Sequence, residues 1–159
     1  MSTASGVAPP SDGGADDYAG PIVWEYSPDL DGEPDPGEIV WAWVAFEEDS
    51  SIGKDRPLAV LGRTEDHRLV ALMLSTRDHS GDRDWLAIGS GPWDQERRAS
   101  WVRRDRVLAV EARAVRREGA LLTRDAYETI VRSVHRPKPG WQSLWRRLFG
   151  RTVGRRRSS

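Results

Sequence analysis

Six short apolar runs, fenced by polar or turn-forming residues, carry the folded part of this chain. Residues 38–46, "EIVWAWVAF", are apolar on both alternating faces, which predicts a strand buried on each side. "RPLAVLGR" (56–63) predicts a second strand, with its proline at the strand start, where a missing N–H is tolerated. "TEDH" is turn-like, so "RLVALMLST" (68–76) returns as the third strand of a hairpin. After the charged loop "RDHSGDRD" come "WLAIG" (85–89), the loop "SGPWDQERRA", and two more strands at 100–104 and 106–112.

The pattern then changes period. Ala126, Tyr127, Ile130, Val131 and Val134 share one helical face. Thr123 is placed to cap that helix, Asp125 suits its positive end, and Pro137 stops it. Several short strands closed by one helix predict a mainly β fold with α: a strongly bent antiparallel sheet or open barrel with a C-terminal helix. Roughly 100 residues suffice for one core.

Both ends read differently. Residues 1–20 are rich in Ser, Gly, Pro, Ala and Asp, and "IVWEY" after them is fenced by Pro28, Pro34 and Pro36. Residues 1–36 are therefore expected to be a disordered acidic tail, and 37–135 the domain. Residues 136–159 form a basic amphipathic tail in which Trp141, Leu144, Trp145, Leu148 and Phe149 fall on one helical face. That stripe fits docking on its own domain or a second copy, weak contact with an anionic membrane surface through residues 141–153, or nonspecific RNA binding.

Charge sharpens the division. The 159-residue chain has a net charge of −1, yet residues 1–50 hold twelve Asp and Glu and no Lys or Arg. The remainder holds twenty-four cations against thirteen acids, which points to a polyanionic partner. Twenty-two of those cations are arginine, which suits a phosphate-reading surface and equally a GC-rich coding sequence. There is no cysteine, the three histidines are widely spaced, and no apolar run reaches the length of a membrane span. The N-terminus lacks the basic start and apolar core of a signal peptide, so a cytoplasmic protein without metal or cofactor is the expectation.

"GEIVWAWVAFEED", "GKDRPLAVLGR", "LVALMLSTRDH" and the closing "WVRRDRVLAVEARAVRREGALLTRDAYETIVRSV" resemble, in that order, the MazF/PemK toxins, in particular a divergent actinobacterial branch. The resemblance covers about residues 37–135. It implies an SH3-like barrel with a C-terminal helix, a homodimer, a cognate antitoxin, and metal-independent cleavage of single-stranded RNA. The family's "RP" arginine corresponds to Arg56. Its hydroxyl residue, usually Thr, corresponds to Ser75, a departure that leaves Thr76 as the alternative.

Such cleavage uses the RNA's own 2′-OH against the adjacent phosphate. Arg56 would stabilise the charge that develops there, and Ser75 or Thr76 would hydrogen-bond beside it. Candidates for the base are Asp55, Asp78 and His79, of which imidazole is the best suited near neutrality. Lys54, Arg77 and Arg83 are candidate RNA phosphate contacts, and Trp93 a candidate stacking platform. Trp41, Trp43, Trp85 and Trp101 fit a core better. The plain alternative for Arg56 is a surface ion pair with Asp55 or Glu48, and for His79 a loop position. The spacing of Asp78, His79, Asp82 and Asp84 matches no metal motif. Two readings of another class remain: a silent SH3-like module binding RNA or protein, and a membrane-apposed protein. For residues 22–35 the plain reading is a solvated linker, and the alternative is a brake that folds back into the basic groove.

Overall fold

The computed structural model describes residues 6–29 and 33–134. The strands are β1 (Asp16–Asp17), β2 (Val23–Trp24), β3 (Glu38–Ala45), β4 (Gly53–Arg63), β5 (Leu69–Ser75), β6 (Trp85–Gly89), β7 (Ser100–Arg103), β8 (Leu108–Val110) and β9 (Arg116–Leu121). One helix, α1 (Arg124–Ser133), follows. The path β1-β8-β5-β4-β3-β9 is antiparallel throughout and curls into a half-barrel, with β2 added to β4 and the β6–β7 ribbon added to β5. The expected SH3-like barrel with a terminal helix is thus the observed fold.

Each long strand is buried on both faces, which is why β3, β4 and β5 read as near-continuous apolar runs. Ile39, Ala59, Leu61, Val70 and Leu72 face a core closed by Tyr127 and Ile130 of α1. The alternate residues Val40, Ala42, Leu58, Val60, Ala71 and Met73 face β8 and Ala15. Thr123 caps α1 as expected, its hydroxyl accepting the Ala126 N–H at 3.1 Å. The β4–β5 turn is the predicted hairpin: the Thr64 N–H donates to Arg68 O at 2.9 Å, and His67 takes φ 70° to close it.

Three boundaries differ from expectation. β4 starts at Gly53 rather than residue 56, so Arg56 lies within a strand and not at its mouth. Pro57 is still tolerated, because pairing with β5 begins only at Leu58↔Met73 and no strand pairs with that edge of β4 at Pro57. β9 was not expected, since "RREGAL" breaks the apolar pattern; its Arg117 instead makes a two-bond ion pair with buried Glu38 on β3.

The third difference is the acidic segment. Residues 6–29, expected to be disordered, lie against the barrel. β1 pairs with β8 through Asp16↔Ala109 and Asp17↔Leu108, while Ala15 bridges to Val44 of β3. The segment therefore fills the seam between β8 and β3. Backbone hydrogen bonds, available to any sequence, combine here with the packing of Ala15, Tyr18, Ile22 and Tyr26. The basic tail from residue 136, including the amphipathic stripe and the proposed membrane contact, lies outside the described residues.

Candidate active site

A change of partner in β5 creates the site. Leu69–Ala71 pair with β8, but Leu74 and Ser75 pair with Val102 and Trp101 of β7. From Pro57 back to Lys54, β4 continues along β3, and at Gly53 its other edge is taken by Val7. Two cavities open where β4 and β5 part. The larger, about 680 Å³, is lined by Lys54, Arg56, Arg77, Arg103 and Arg106, with Glu47 and Glu48 at its edge. The smaller, about 250 Å³, is lined by Arg56, Ser75, Thr76, Arg77 and Trp93, with Trp41 and Pro57. Arg56 and Arg77 border both.

Strand alternation sets which side chains meet. Leu58 pairs with Met73, so the residues two steps away, Arg56 on β4 and Ser75 on β5, belong to the same face. The Arg56 side chain is half-buried and makes no hydrogen bond or ion pair among the described residues. Neither expected partner claims it: Asp55 instead pairs with Arg116 at 2.8 Å. Burial, then repulsion from Arg106, Arg77 and Arg103, push its pKa down, with Glu48 opposing. An arginine remains charged even so, and a cation in this position favours an incoming anion.

The other two arginines of the larger cavity are neutralised. Arg106, 8% exposed, donates to Asp17 at 2.6 Å and to Ala45 O at 2.9 Å. Arg103 donates to Asp105 at 2.6 Å and to Glu47 at 3.0 and 3.1 Å. Burial works against the Arg103 charge, but these bonds outweigh it and push its pKa up. Lys54 and Arg77 form no ion pair among the described residues, so three cations border one opening without a direct ion pair, Glu48 being the nearby carboxylate that favours the Arg56 charge.

Ser75 Oγ accepts the Arg77 N–H at 3.1 Å and lies 3.1 Å from His79 Nε2. Thr76 is exposed on the rim of the smaller cavity. Trp93 forms part of that cavity's wall, anchored by its indole N–H to Ser100 Oγ at 2.8 Å. The loop carrying it is latched by Asp94 and Arg98, whose side-chain and backbone hydrogen bonds hold the Asp94 carboxyl down to about 2.

Of the residues singled out in the sequence, Arg56, Ser75, Thr76, Arg77 and Trp93 line one cavity, and Lys54 joins from the other. His79 reaches the group through Ser75. Arg83 does not: it lies on the exposed 76–84 loop and offers only its backbone oxygen to Arg104. Among the described residues no three His, Asp or Glu side chains are placed to hold a metal ion, the Asp78–Asp84 loop included. None of residues 22–29 or 33–35 lines either cavity; β2 pairs with Gly62 and Arg63, the opposite end of β4 from Arg56. The described residues of that segment are therefore not seated in this site as the alternative of a brake would require. Sequence reasoning missed Arg103, Arg106, Glu47 and Asp17, whose only signal was arginine beside the apolar runs "SWV" and "VLAV".

Fold and site together define a small SH3-like barrel with an arginine-rich opening where β4 and β5 part. Residues 35–136 match the family described as PemK-like, MazF-like toxin of type II toxin-antitoxin system, and the chain belongs to that family. The match reaches the family and no particular branch of it. No curated protein and no solved structure matches.

Proposed function

We propose that this chain is the toxin of a type II pair and an endoribonuclease acting on single-stranded RNA without a metal ion. The observation that carries the reading is Arg56: half-buried, in no ion pair among the described residues, and sharing a cavity with Ser75. The 2′-O–P bond forms as the P–O5′ bond breaks, leaving a 2′,3′-cyclic phosphate and a free 5′-OH. Arg56 donates to the phosphate oxygens as charge develops on them. With its imidazole neutral and protonated on Nδ1, His79 accepts the Ser75 proton at Nε2 while Ser75 Oγ takes that of the 2′-OH. The departing O5′ takes a proton from water. Lys54 and Arg77 hold flanking phosphates, and Trp93 offers a wall for one base.

The partners of this reading are single-stranded RNA, a cognate antitoxin and a second copy of the chain, in the cytoplasm; family membership is what supports them. The test is incubation of the purified protein with single-stranded RNA in EDTA, beside Arg56→Ala. Cleavage by the parent, lost by on the order of 100- to 1000-fold in the variant, supports the enzyme. Binding without cleavage by the parent supports the alternative, a silent RNA-binding module, which the serine in place of the family's usual threonine keeps in view.

A further inference from the structure

His79 lies between two tryptophans from neighbouring strands. The Trp85 indole stacks on the imidazole, ring centroids 3.7 Å apart and planes 6° from parallel. Trp101 meets the same ring edge-on at 6.1 Å and 72°. The backbone brings them together in two steps: the Asp82 N–H donates to His79 O at 3.0 Å, and the Trp85 N–H donates to Asp82 O at 3.1 Å. Register completes the arrangement. Trp101 is directly opposite Ser75 on β5, and Trp85 is opposite Arg103, two residues along the same face of β7.

Neither tryptophan belongs to the two core clusters or packs against them as a partly buried neighbour. Both are half-buried, and the ring contact recorded for each is His79. An apolar core therefore does not account for them. An imidazole on an exposed loop, by contrast, would otherwise sample many orientations, only a few of which reach Ser75.

We propose that Trp85 is a positioning residue of this site: its stack fixes the His79 ring so that Nε2 stays against Ser75 Oγ, with Trp101 setting the tilt. This rests on the nuclease reading above, in which His79 and Ser75 move the proton. Trp85 acts through the His79 ring it stacks on and lines neither cavity. Misplacement of a proton-transfer group by about 1 Å costs on the order of 100-fold in rate, so a loosened ring should lower turnover rather than binding.

The experiment measures kcat and KM on a single-stranded RNA oligonucleotide in EDTA for the full chain, Trp85→Leu, Trp85→Phe, His79→Asn and the double variant Trp85→Leu/His79→Asn. Trp85→Leu should lose about 10- to 100-fold in kcat with KM unchanged, and Trp85→Phe should recover most of the loss. In the His79→Asn background Trp85→Leu should cost nothing further. An equal loss in both backgrounds, a loss in KM alone, or no loss would overturn the proposal. A second readout does not need activity. The stacked indole should shift the His79 ring protons upfield by NMR, assigned by their absence in His79→Asn, and Trp85→Leu should abolish that shift. Unchanged His79 resonances would also overturn it. A parent that cuts no RNA sinks the nuclease reading, and the ring protons then decide whether the clamp exists.

Discussion

His79 Nε2 and Ser75 Oγ lie 3.1 Å apart, and Ser75 stands on the face of β5 that meets Arg56. Thr76, one residue on, is exposed and has left the strand. The serine should therefore be the working hydroxyl, although the family's usual residue is threonine. Ser75→Ala is expected to lower kcat by on the order of 100-fold, whereas Thr76→Ala leaves kcat near the parent's. Single-turnover cleavage of one oligonucleotide by the two variants decides between them, and the reverse ranking would move the role to Thr76.

Much of this was legible in the residues. Strands β3, β4 and β5 carry apolar side chains on both faces and are bounded by turn-forming residues, and Thr123 sits before a clean helical stripe. β1 and β2 were not legible, because two-residue strands are held by backbone bonds to edges that only the finished barrel supplies. The arginines divide similarly. Arg56 was found through its "RP" resemblance, but that its neighbour Asp55 pairs instead with Arg116, on a strand sixty residues away, was not legible. Trp85 and Trp101 were expected in the core on composition; only the β6–β7 pairing puts them around His79.

The cations of the larger cavity should separate by salt dependence. Each phosphate neutralised on a single strand contributes about 0.7 to the slope of log K against log salt. Lys54→Ala and Arg77→Ala, which remove unpaired charges, should each reduce that slope by about this amount. Arg83→Ala, away from both cavities, should leave it unchanged. Fluorescence anisotropy on labelled single-stranded RNA across a salt series provides the slopes.

Tyr127 gives the fold a signature at alkaline pH. Its hydroxyl donates to Leu61 O at 2.7 Å from a buried position, and burial pushes its pKa up to about 12 against the pull of the Glu25 amide and Arg124. The folded state thus favours the neutral phenol. That contribution is complete below the ordinary value near 10 and is lost as pH rises from there through about 12. Urea midpoints should fall more steeply above pH 10 for the parent than for Tyr127→Phe, which cannot ionise. At neutral pH the phenylalanine variant should be less stable by about 1 kcal/mol, the worth of one hydrogen bond. Parallel curves across the alkaline range would contradict the assignment.

The acidic segment should behave as a stave of the barrel. Ala15 is fully buried, its N–H donates to Trp43 O at 2.7 Å, and its own oxygen accepts from Ala45 at 3.3 Å. A side chain at Gly14 would collide with the Trp43 ring and carbonyl. A charge at position 15 has no water and no partner, so Ala15→Asp is expected to cost about 3 kcal/mol. Asp16→Ala, at an exposed position next to Ala15 on the opposite face of the strand, should change stability little, because β1 there contributes backbone bonds that alanine keeps. Deleting residues 1–18 would also free Arg106 from Asp17 and uncover the seam between β3 and β8. Denaturant unfolding should then show a lower midpoint for the truncated chain and for Ala15→Asp, with Asp16→Ala matching the parent. Equal midpoints for all four proteins would mean that the barrel stands without its first strand.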